Sequence, residues 1–333
     1  MDTLNNGSHI GIIGCGAWAT TIANHIAKKG IKTKIWCHRQ EIVDEINSQV
    51  RSLLPDVAIS KDLQASLDFN EVVGSAQALV LCVPARYLES VIEHWRPMFK
   101  PNQPVLSLIK GIFSEKYILV ESYLNSIFKN ISYSLLSGPN LALEIAQEKP
   151  AAAVVASTDI PNQLFFQNLL SNEFFRIYRS DDVVGVALGG ILKNIMAIAA
   201  GCIDALSLGI NTKSALITRG LIEIIELGKT LNAHEKSFYG LAGVGDLIAT
   251  CSSPLSRNYQ CGYAIGSGKT LAEFQESLSS VAEGVQSTRF IYAYSREKRI
   301  IMPITTMVYN IVHNKVSITE AINQLMTRDL KSE

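Results

Sequence analysis

Near the N-terminus the chain reads Ile10-Gly11-Ile12-Ile13-Gly14-Cys15-Gly16-Ala17-Trp18-Ala19-Thr20: a short apolar run, a glycine-rich turn and the start of a helical stretch that reaches Lys29. Residues 10–13 have the length and apolar character of a buried strand. The turn follows the G-x-G-x-x-G/A pattern with Gly14, Gly16 and Ala19. In that pattern the first glycine permits the tight turn, the second lets a pyrophosphate approach the backbone, and the small third residue allows close helix–strand packing. The helix start then presents free N–H groups and its positive dipole end to phosphates. A glycine pattern alone also marks ordinary turns. Here strand, turn and helix follow in the required order, so a dinucleotide site is the stronger reading.

The next strand, 33–36, ends in Cys37-His38-Arg39. Sites selective for NAD place an acidic residue there, on the ribose hydroxyls. A guanidinium beside an imidazole instead suits a 2′-phosphate, which Arg can hold in bidentate fashion. NADP(H) is therefore the expected cofactor, with NAD(H) the alternative and a solvated basic loop the plain reading of the same residues.

Outward from this motif, 333 residues suffice for two domains with separate cores. Apolar residues make up 47% and charged ones 18%, with zero formal net charge, so no global field favours nucleic acid or an acidic membrane. Six cysteines are scattered without a C-x-x-C pair, the usage of a reduced, cytoplasmic protein and not of a disulfide framework or zinc site. No pair of histidines has metal-ligand spacing, and no metal is expected. Residues 1–9 form a polar tail unlike a signal peptide. The run 183–206 is apolar enough to mimic a membrane span, but Lys193 and Asn194 lie at its middle. A charge there costs about 2.5–3.5 kcal/mol in lipid, so a buried core helix is expected, with no membrane insertion.

Short apolar runs at 10–13, 33–36, 78–83, 105–109, 133–136, 152–156 and 175–178 alternate with helical stretches. Several lack polar alternation, as strands covered on both faces do. The pattern predicts a Rossmann-type doubly wound α/β sheet with ligands at the strand C-termini. After Asp181-Asp182, a helix-capping pair, the stretches 183–206, 212–231, 255–267 and parts of 285–328 read as helices, interrupted at Met302-Pro303. The expected organisation is a dinucleotide-binding domain over 1–181 and an all-α substrate-binding domain over 182–333.

Four polar clusters interrupt apolar or glycine-rich context. Lys110-Gly111 follows a buried strand. Ser137-Gly138-Pro139-Asn140 follows another; its amides face a ligand, or Asn140 caps a helix beginning at Leu141. Lys193-Asn194 lies within the apolar helix, where a lysine is uncommon unless paired, functional or snorkelling. Burial disfavours its ammonium form unless a carboxylate opposes this, the setting of a general acid/base. The fourth cluster runs from Gly240-Leu241-Ala242-Gly243-Val244-Gly245-Asp246-Leu247 to Ser256-Arg257-Asn258. Arg257 beside Asn258 offers a cationic fork and an amide for a phosphate monoester, or simply opens a solvated helix.

With these residues in order, the chain resembles the bacterial glycerol-3-phosphate dehydrogenase [NAD(P)+] family along nearly its whole length. The matching pieces are Gly14-x-Gly16-Ala17-Trp18-Ala19, Trp36-x-His38-Arg39, Val83-Pro84, Lys110-Gly111, Ser137-Gly138-Pro139-Asn140-x-Ala142, Lys193-Asn194, Gly243-x-Gly245-Asp246-Leu247, Ser256-Arg257-Asn258 and Glu283-Gly284. Cys15 stands where that family usually has Ala, and His38 where it often has Arg.

The resemblance implies reversible NAD(P)H-dependent reduction of dihydroxyacetone phosphate to sn-glycerol 3-phosphate, supplying glycerophospholipid synthesis. It implies that Lys193 exchanges the proton on the substrate C2 oxygen, that Lys110 stabilises charge there, and that Asp246 orients Lys193. Gly138, Asn140, Lys193, Asn194, Asp246, Ser256, Arg257, Asn258 and Lys110 would contact the substrate, a triose phosphate. Gly14, Gly16, Ala17, Trp18, His38, Arg39, Lys110, Ala142, Arg257, Val281 and Glu283 would line the cofactor site. A homodimer is the expected assembly. Two rivals carry other predictions: a two-domain β-hydroxy-acid dehydrogenase, in which Arg257 grips a carboxylate, and a non-catalytic NADP(H) redox sensor, which gives a buried Lys193 no role.

Overall fold

The computed structural model describes residues 8–112, 119–276, 282–314 and 316–330. These divide into two compact units, with the division falling after Val186. The expected polar tail at 1–9 lies, up to residue 7, outside the described residues; His9 already belongs to the first strand.

The first unit is built on eight strands: β1 (His9–Ile13), β2 (Thr33–Trp36), β3 (Leu63–Ser66), β4 (Ala76–Leu81), β5 (Pro104–Ser107), β6 (Ser132–Ser137), β7 (Ala151–Ala156) and β8 (Phe175–Ser180). They form one sheet in the order β3-β2-β1-β4-β5-β6-β7-β8. Helices α1 (Ala17–Lys28), α2 (Gln40–Asn47), α3 (Phe69–Val73), α4 (Leu88–Trp95), α5 (Val120–Ile127), α6 (Ala142–Ala146) and α7 (Ile160–Leu170) connect them. Ile10, Ile12, Ile22, Ile26, Ile35, Val80, Leu106 and Phe166 are fully buried in the core. Within it His25 on α1 bonds through Nε2 to the Leu170 carbonyl at 2.6 Å, tying α1 to α7.

Parallel register decides where the loops emerge. Ile13 lies opposite both Trp36 and Leu81, so Gly14, Cys37 and Cys82 leave the sheet side by side. This is the C-terminal strand edge at which doubly wound sheets bind ligands.

Two features depart from the sequence expectation. β3 was not anticipated: Leu63-Gln64-Ala65-Ser66 is short and half polar, and it forms because it pairs in parallel with β2 at the sheet edge. The sheet is also mixed, since β6 and β7 run antiparallel. The helix between them, α6, has five residues and spans only about 7.5 Å, too little to carry the chain back across the sheet.

The helix α8 (Val183–Ala205) is capped as expected, with the Asp182 carboxylate accepting from the Gly185 N–H at 2.8 Å. It alone among the described helices is long and apolar enough to cross a membrane, but 83% of its most apolar window is buried within the protein. Beyond Val186 the second unit continues with α9 (Gly209–Thr230), α10 (Glu235–Phe238), α11 (Asp246–Ser252), α12 (Arg257–Gly266), α13 (Leu271–Glu276), α14 (Glu283–Lys298), α15 (Pro303–His313) and α16 (Ile318–Met326). Among its described residues there is no strand. Pro303 opens α15 at the first helical position, where its missing N–H costs nothing. Small residues bring α8 and α12 almost into backbone contact, since a Cβ on Gly262 would lie 1.8 Å from the Ile198 carbonyl oxygen.

Candidate active site

In the first unit the glycine-rich turn has the conformation its sequence implies. Gly14 has a φ of +113°, and a Cβ there would lie 2.3 Å from the Cys82 carbonyl oxygen; no other residue fits. Gly16 is the N-cap of α1, without a side-chain cap, and the space where its Cβ would stand is open to 4 Å. Helix geometry leaves the first N–H groups of α1 without intrahelical partners, so the turn is a cradle for an anion. Ala17 and Trp18 are the first two residues of α1 and are half-buried. The buried Trp18 Nε1 has no partner among the described residues. A dinucleotide pyrophosphate fits this cradle.

His38 and Arg39 are exposed at the end of β2, and Arg39 is the N-cap of α2. Lys110 follows β5 and donates from Nζ to the Gly138 carbonyl at 3.0 Å, joining the loops after β5 and β6. Asn140 does not cap α6: that role falls to Leu141, and the amide oxygen and nitrogen of Asn140 are both buried and unpartnered among the described residues. An amide with neither bond made costs stability unless a ligand completes it. Ala142 opens α6, and its carbonyl accepts from the Thr21 hydroxyl of α1 at 3.2 Å.

One contributor was not anticipated. Arg51 is buried and donates from Nη2 to the Cys15 carbonyl at 3.0 Å and from Nη1 to Glu45 at 2.6 Å. It braces the glycine turn from inside. Its polar sequence surroundings give no periodicity or motif from which this could be read.

In the second unit Lys193 is 7% exposed and its ammonium donates to the carboxylate of Asp246, itself 1% exposed. The Thr250 hydroxyl lies 3.3 Å from the same carboxylate oxygen. The expectation that only a carboxylate would oppose the cost of burying this ammonium is thus met by a named partner. Asp246 is placed by the chain before it: Leu241–Gly245 forms a π-helical turn, with the Gly245 N–H bonded to the Gly240 carbonyl at 3.2 Å. That turn packs on bare backbone, for a Cβ on Gly189 would meet the Ala242 carbonyl oxygen at 2.3 Å. Such turns recur at functional sites because they re-aim a side chain.

A second relay lies beside it in sequence. Asn258 donates from Nδ2 to Asn194 Oδ1 at 2.9 Å and accepts at Oδ1 from the Gly284 N–H at 2.9 Å. Asn194 and Asn258 therefore hold the starts of α12 and α14 against α8. Ser256 caps α12 by accepting from the Tyr259 N–H at 3.3 Å, which is the plain helix-start reading of that residue. Arg257 is exposed at the first position of the same helix, and Glu283 is half-buried at the first position of α14. Val281, expected at the cofactor, lies outside the described residues.

Family models for the N-terminal and C-terminal parts of NAD-dependent glycerol-3-phosphate dehydrogenase match residues 9–163 and 182–323. The chain belongs to the NAD-dependent glycerol-3-phosphate dehydrogenase family. It is 38% identical over 332 residues to glycerol-3-phosphate dehydrogenase [NAD(P)+] of Geobacter metallireducens, covering 98% of this chain and 99% of that one. It is 39% identical over 329 residues to the enzyme of Thermobifida fusca, covering 97% and 98%. The crystal structure of the Coxiella burnetii glycerol-3-phosphate dehydrogenase superposes with a TM-score of 0.90 at 32% identity, over 96% of this chain and 99% of that one. D-mandelate dehydrogenase, at 15% identity and a TM-score of 0.64, shares the fold alone.

Proposed function

We infer that this chain reduces dihydroxyacetone phosphate reversibly to sn-glycerol 3-phosphate with NADP(H) or NAD(H), a step that supplies glycerophospholipid synthesis. Membership of the family carries the reaction, and the buried Lys193–Asp246 pair supports a catalytic chain over a non-catalytic sensor, since a sensor has no use for it. When bound, the nicotinamide ring supplies or accepts a hydride at its C4.

The remaining chemistry falls to side chains. The N–H groups at Gly16, Ala17 and Trp18, beside Gly14, hold the pyrophosphate, while His38 and Arg39 meet the adenosine 2′-phosphate and favour NADP(H). Ala142 and Glu283 line the cofactor, and Asn140 offers its unmade amide bonds to a ligand. Lys193 moves a proton to and from the substrate C2 oxygen. Asp246, bonded to that ammonium, aims it. Lys110, held by the Gly138 carbonyl, supplies positive charge for the oxygen as it becomes negative. Arg257 takes the phosphate, with Ser256, Asn258 and Asn194 shaping its surroundings. In this reading residues 1–181 form the dinucleotide-binding domain and 182–333 the substrate-binding domain, each lending residues such as Lys110 and Glu283 to the other ligand, in a cytoplasmic homodimer with no nucleic-acid or membrane partner. The zero net charge and the buried α8 support a small-molecule enzyme.

The test is oxidation of NADPH and NADH with dihydroxyacetone phosphate as sole substrate. Rapid oxidation is expected, faster with NADPH. Failure to turn over while NADPH is still bound would remove the triose phosphate assignment, and activity on a hydroxy acid would replace it.

A further inference from the structure

The first turn of α12 carries three successive residues in different settings. Arg257 is exposed, Asn258 is buried with bonds to Asn194 and the Gly284 N–H, and Tyr259 is half-buried. The Tyr259 hydroxyl donates to Asp204 Oδ2 at 2.6 Å. Asp204 lies in the last turn of α8, and the same oxygen accepts from the Lys213 ammonium of α9 at 2.6 Å. That ammonium also stands 5.3 Å from the centre of the Tyr259 ring, within cation–π reach. Against the effect of burial, the Lys213 and Tyr259 bonds hold Asp204 below the usual carboxylate range. Burial and the bond to Asp204 push the Tyr259 phenol up to about 12, so it remains a donor at neutral pH. Three helices thus meet at one carboxylate.

α8 and α12 touch along bare backbone: a Cβ on Gly262 would lie 1.8 Å from the Ile198 carbonyl oxygen, and one on Gly201 2.0 Å from that of Tyr259. Packing of this kind fixes the spacing of two helices more firmly than their roll. Successive residues point about 100° apart around a helix. Asn258 and Tyr259 therefore tether α12 on two different faces, one to the middle of α8 and the other to its last turn. Arg257, one step further round, is carried by any roll that remains. At the radius of a helix with its side chains, a roll of about 10° moves a side-chain tip about 1 Å, enough to spoil a positioned contact. We propose that Tyr259 is a positioning residue for the substrate phosphate: its hydroxyl, anchored on Asp204, sets the roll of α12 and so the aim of the Arg257 guanidinium. The proposal rests on the assignment of Arg257 to the phosphate. Lys213 holds the Asp204 carboxylate from α9, so that Tyr259 bonds to a fixed point. Without the hydroxyl, α12 keeps its backbone contact and its Asn258 bonds but is freer to roll, and Arg257 spends part of its time out of reach.

The experiment compares the full-length enzyme with Tyr259→Phe, Arg257→Ala and the double variant in steady-state kinetics at saturating NADPH, with thermal melts alongside. Tyr259→Phe keeps the ring and loses only the hydroxyl. Its KM for dihydroxyacetone phosphate should rise about three- to tenfold, the scale of one charge-assisted hydrogen bond, with kcat and the KM for NADPH unchanged. Added to Arg257→Ala, it should raise KM no further, because its effect passes through that guanidinium, yet lower the melting temperature equally in both backgrounds. Asp204→Asn, which keeps an acceptor for the hydroxyl, should hold KM nearer that of the unaltered enzyme than Asp204→Ala does. Three results would each overturn the positioning role: a KM that rises in Arg257→Ala but not in Tyr259→Phe, additive rises in the double variant, or equal losses in Asp204→Asn and Asp204→Ala. An unchanged KM in Arg257→Ala itself would instead remove the phosphate assignment, and this inference with it.

Discussion

The Lys193 ammonium and the Asp246 carboxylate form an ion pair with both side chains almost completely withdrawn from solvent. Desolvating two charges is expensive, and their attraction repays it only while both are present; removing one partner typically costs about 3–5 kcal/mol. A pair that merely held helices could be replaced by apolar groups without loss, so retaining it argues for a proton-handling role. Lys193→Met should therefore lower kcat by roughly 10²- to 10⁴-fold, the usual contribution of a positioned acid/base, with NADPH affinity kept. Both Lys193→Met and Asp246→Asn should lower the melting temperature, whereas the double variant should regain stability and remain inactive. Steady-state kinetics with thermal melts checks this, and near-normal turnover in Lys193→Met would end the proton-transfer role.

Arg257 is exposed at the start of α12, so its replacement leaves no buried group stranded. Arg257→Ala should raise KM for dihydroxyacetone phosphate about tenfold or more, the worth of a charge-assisted phosphate contact, with little change in stability. Should only the KM for NADPH move, Arg257 belongs to the cofactor.

The cofactor preference is expected to lie in His38 and Arg39. Arg39→Ala should weaken NADPH binding and leave NADH nearly unaffected, because only the former carries a 2′-phosphate. Comparison of kcat/KM for the two cofactors, before and after substitution, decides it; a parallel loss with both would assign Arg39 to folding of the turn.

A separate pH dependence belongs to Glu223 on α9. It is 4% exposed, and its carboxylate accepts from the Ile304 and Thr305 N–H groups and the Thr305 hydroxyl, capping α15 from another helix. Burial, outweighing these hydrogen bonds, raises its pKa to about 7. In the unfolded chain a glutamate titrates near its ordinary value, so the folded protein binds the extra proton in between. Glu223 therefore contributes stability fully below that ordinary value and loses it as pH rises through about 7. The swing is at most roughly 3 kcal/mol. Denaturant melts across this range should show it, and Glu223→Gln should flatten that part of the profile.

Gly14→Ala tests the turn itself. A Cβ at 2.3 Å from a carbonyl oxygen, on backbone at φ +113°, forces the turn to shift, so NADPH binding should be lost well before the fold is. Fluorescence titration alongside circular dichroism separates the two, and unchanged affinity would mean the pyrophosphate lies elsewhere.

Local pattern alone determined a good deal of this protein. The glycine turn with its flanking strand and helix, the apolar runs of the covered strands, the Asp182 cap and the helix interruption at Met302-Pro303 are features of near neighbours in sequence, and each is found where it was read. Ion pairs and edge strands are different, because their partners are far apart along the chain. Lys193 and Asp246 are separated by 53 positions, and nothing in the local pattern around Lys193 names its carboxylate; only the family resemblance pointed to Asp246. β3 exists only because β2 offers it a row of backbone groups, and β7 reverses direction because α6 is too short to return. Asn140 was open to two readings until the helix after it was seen to begin without it. Arg51 became part of the turn only through a fold that brings it behind Cys15. The sequence alone determined the repeating elements and the kind of chemistry, since periodicity and turn geometry are local. Only the tertiary structure decided which charges meet, because burial makes a pairing worth its desolvation and burial is a property of the whole fold.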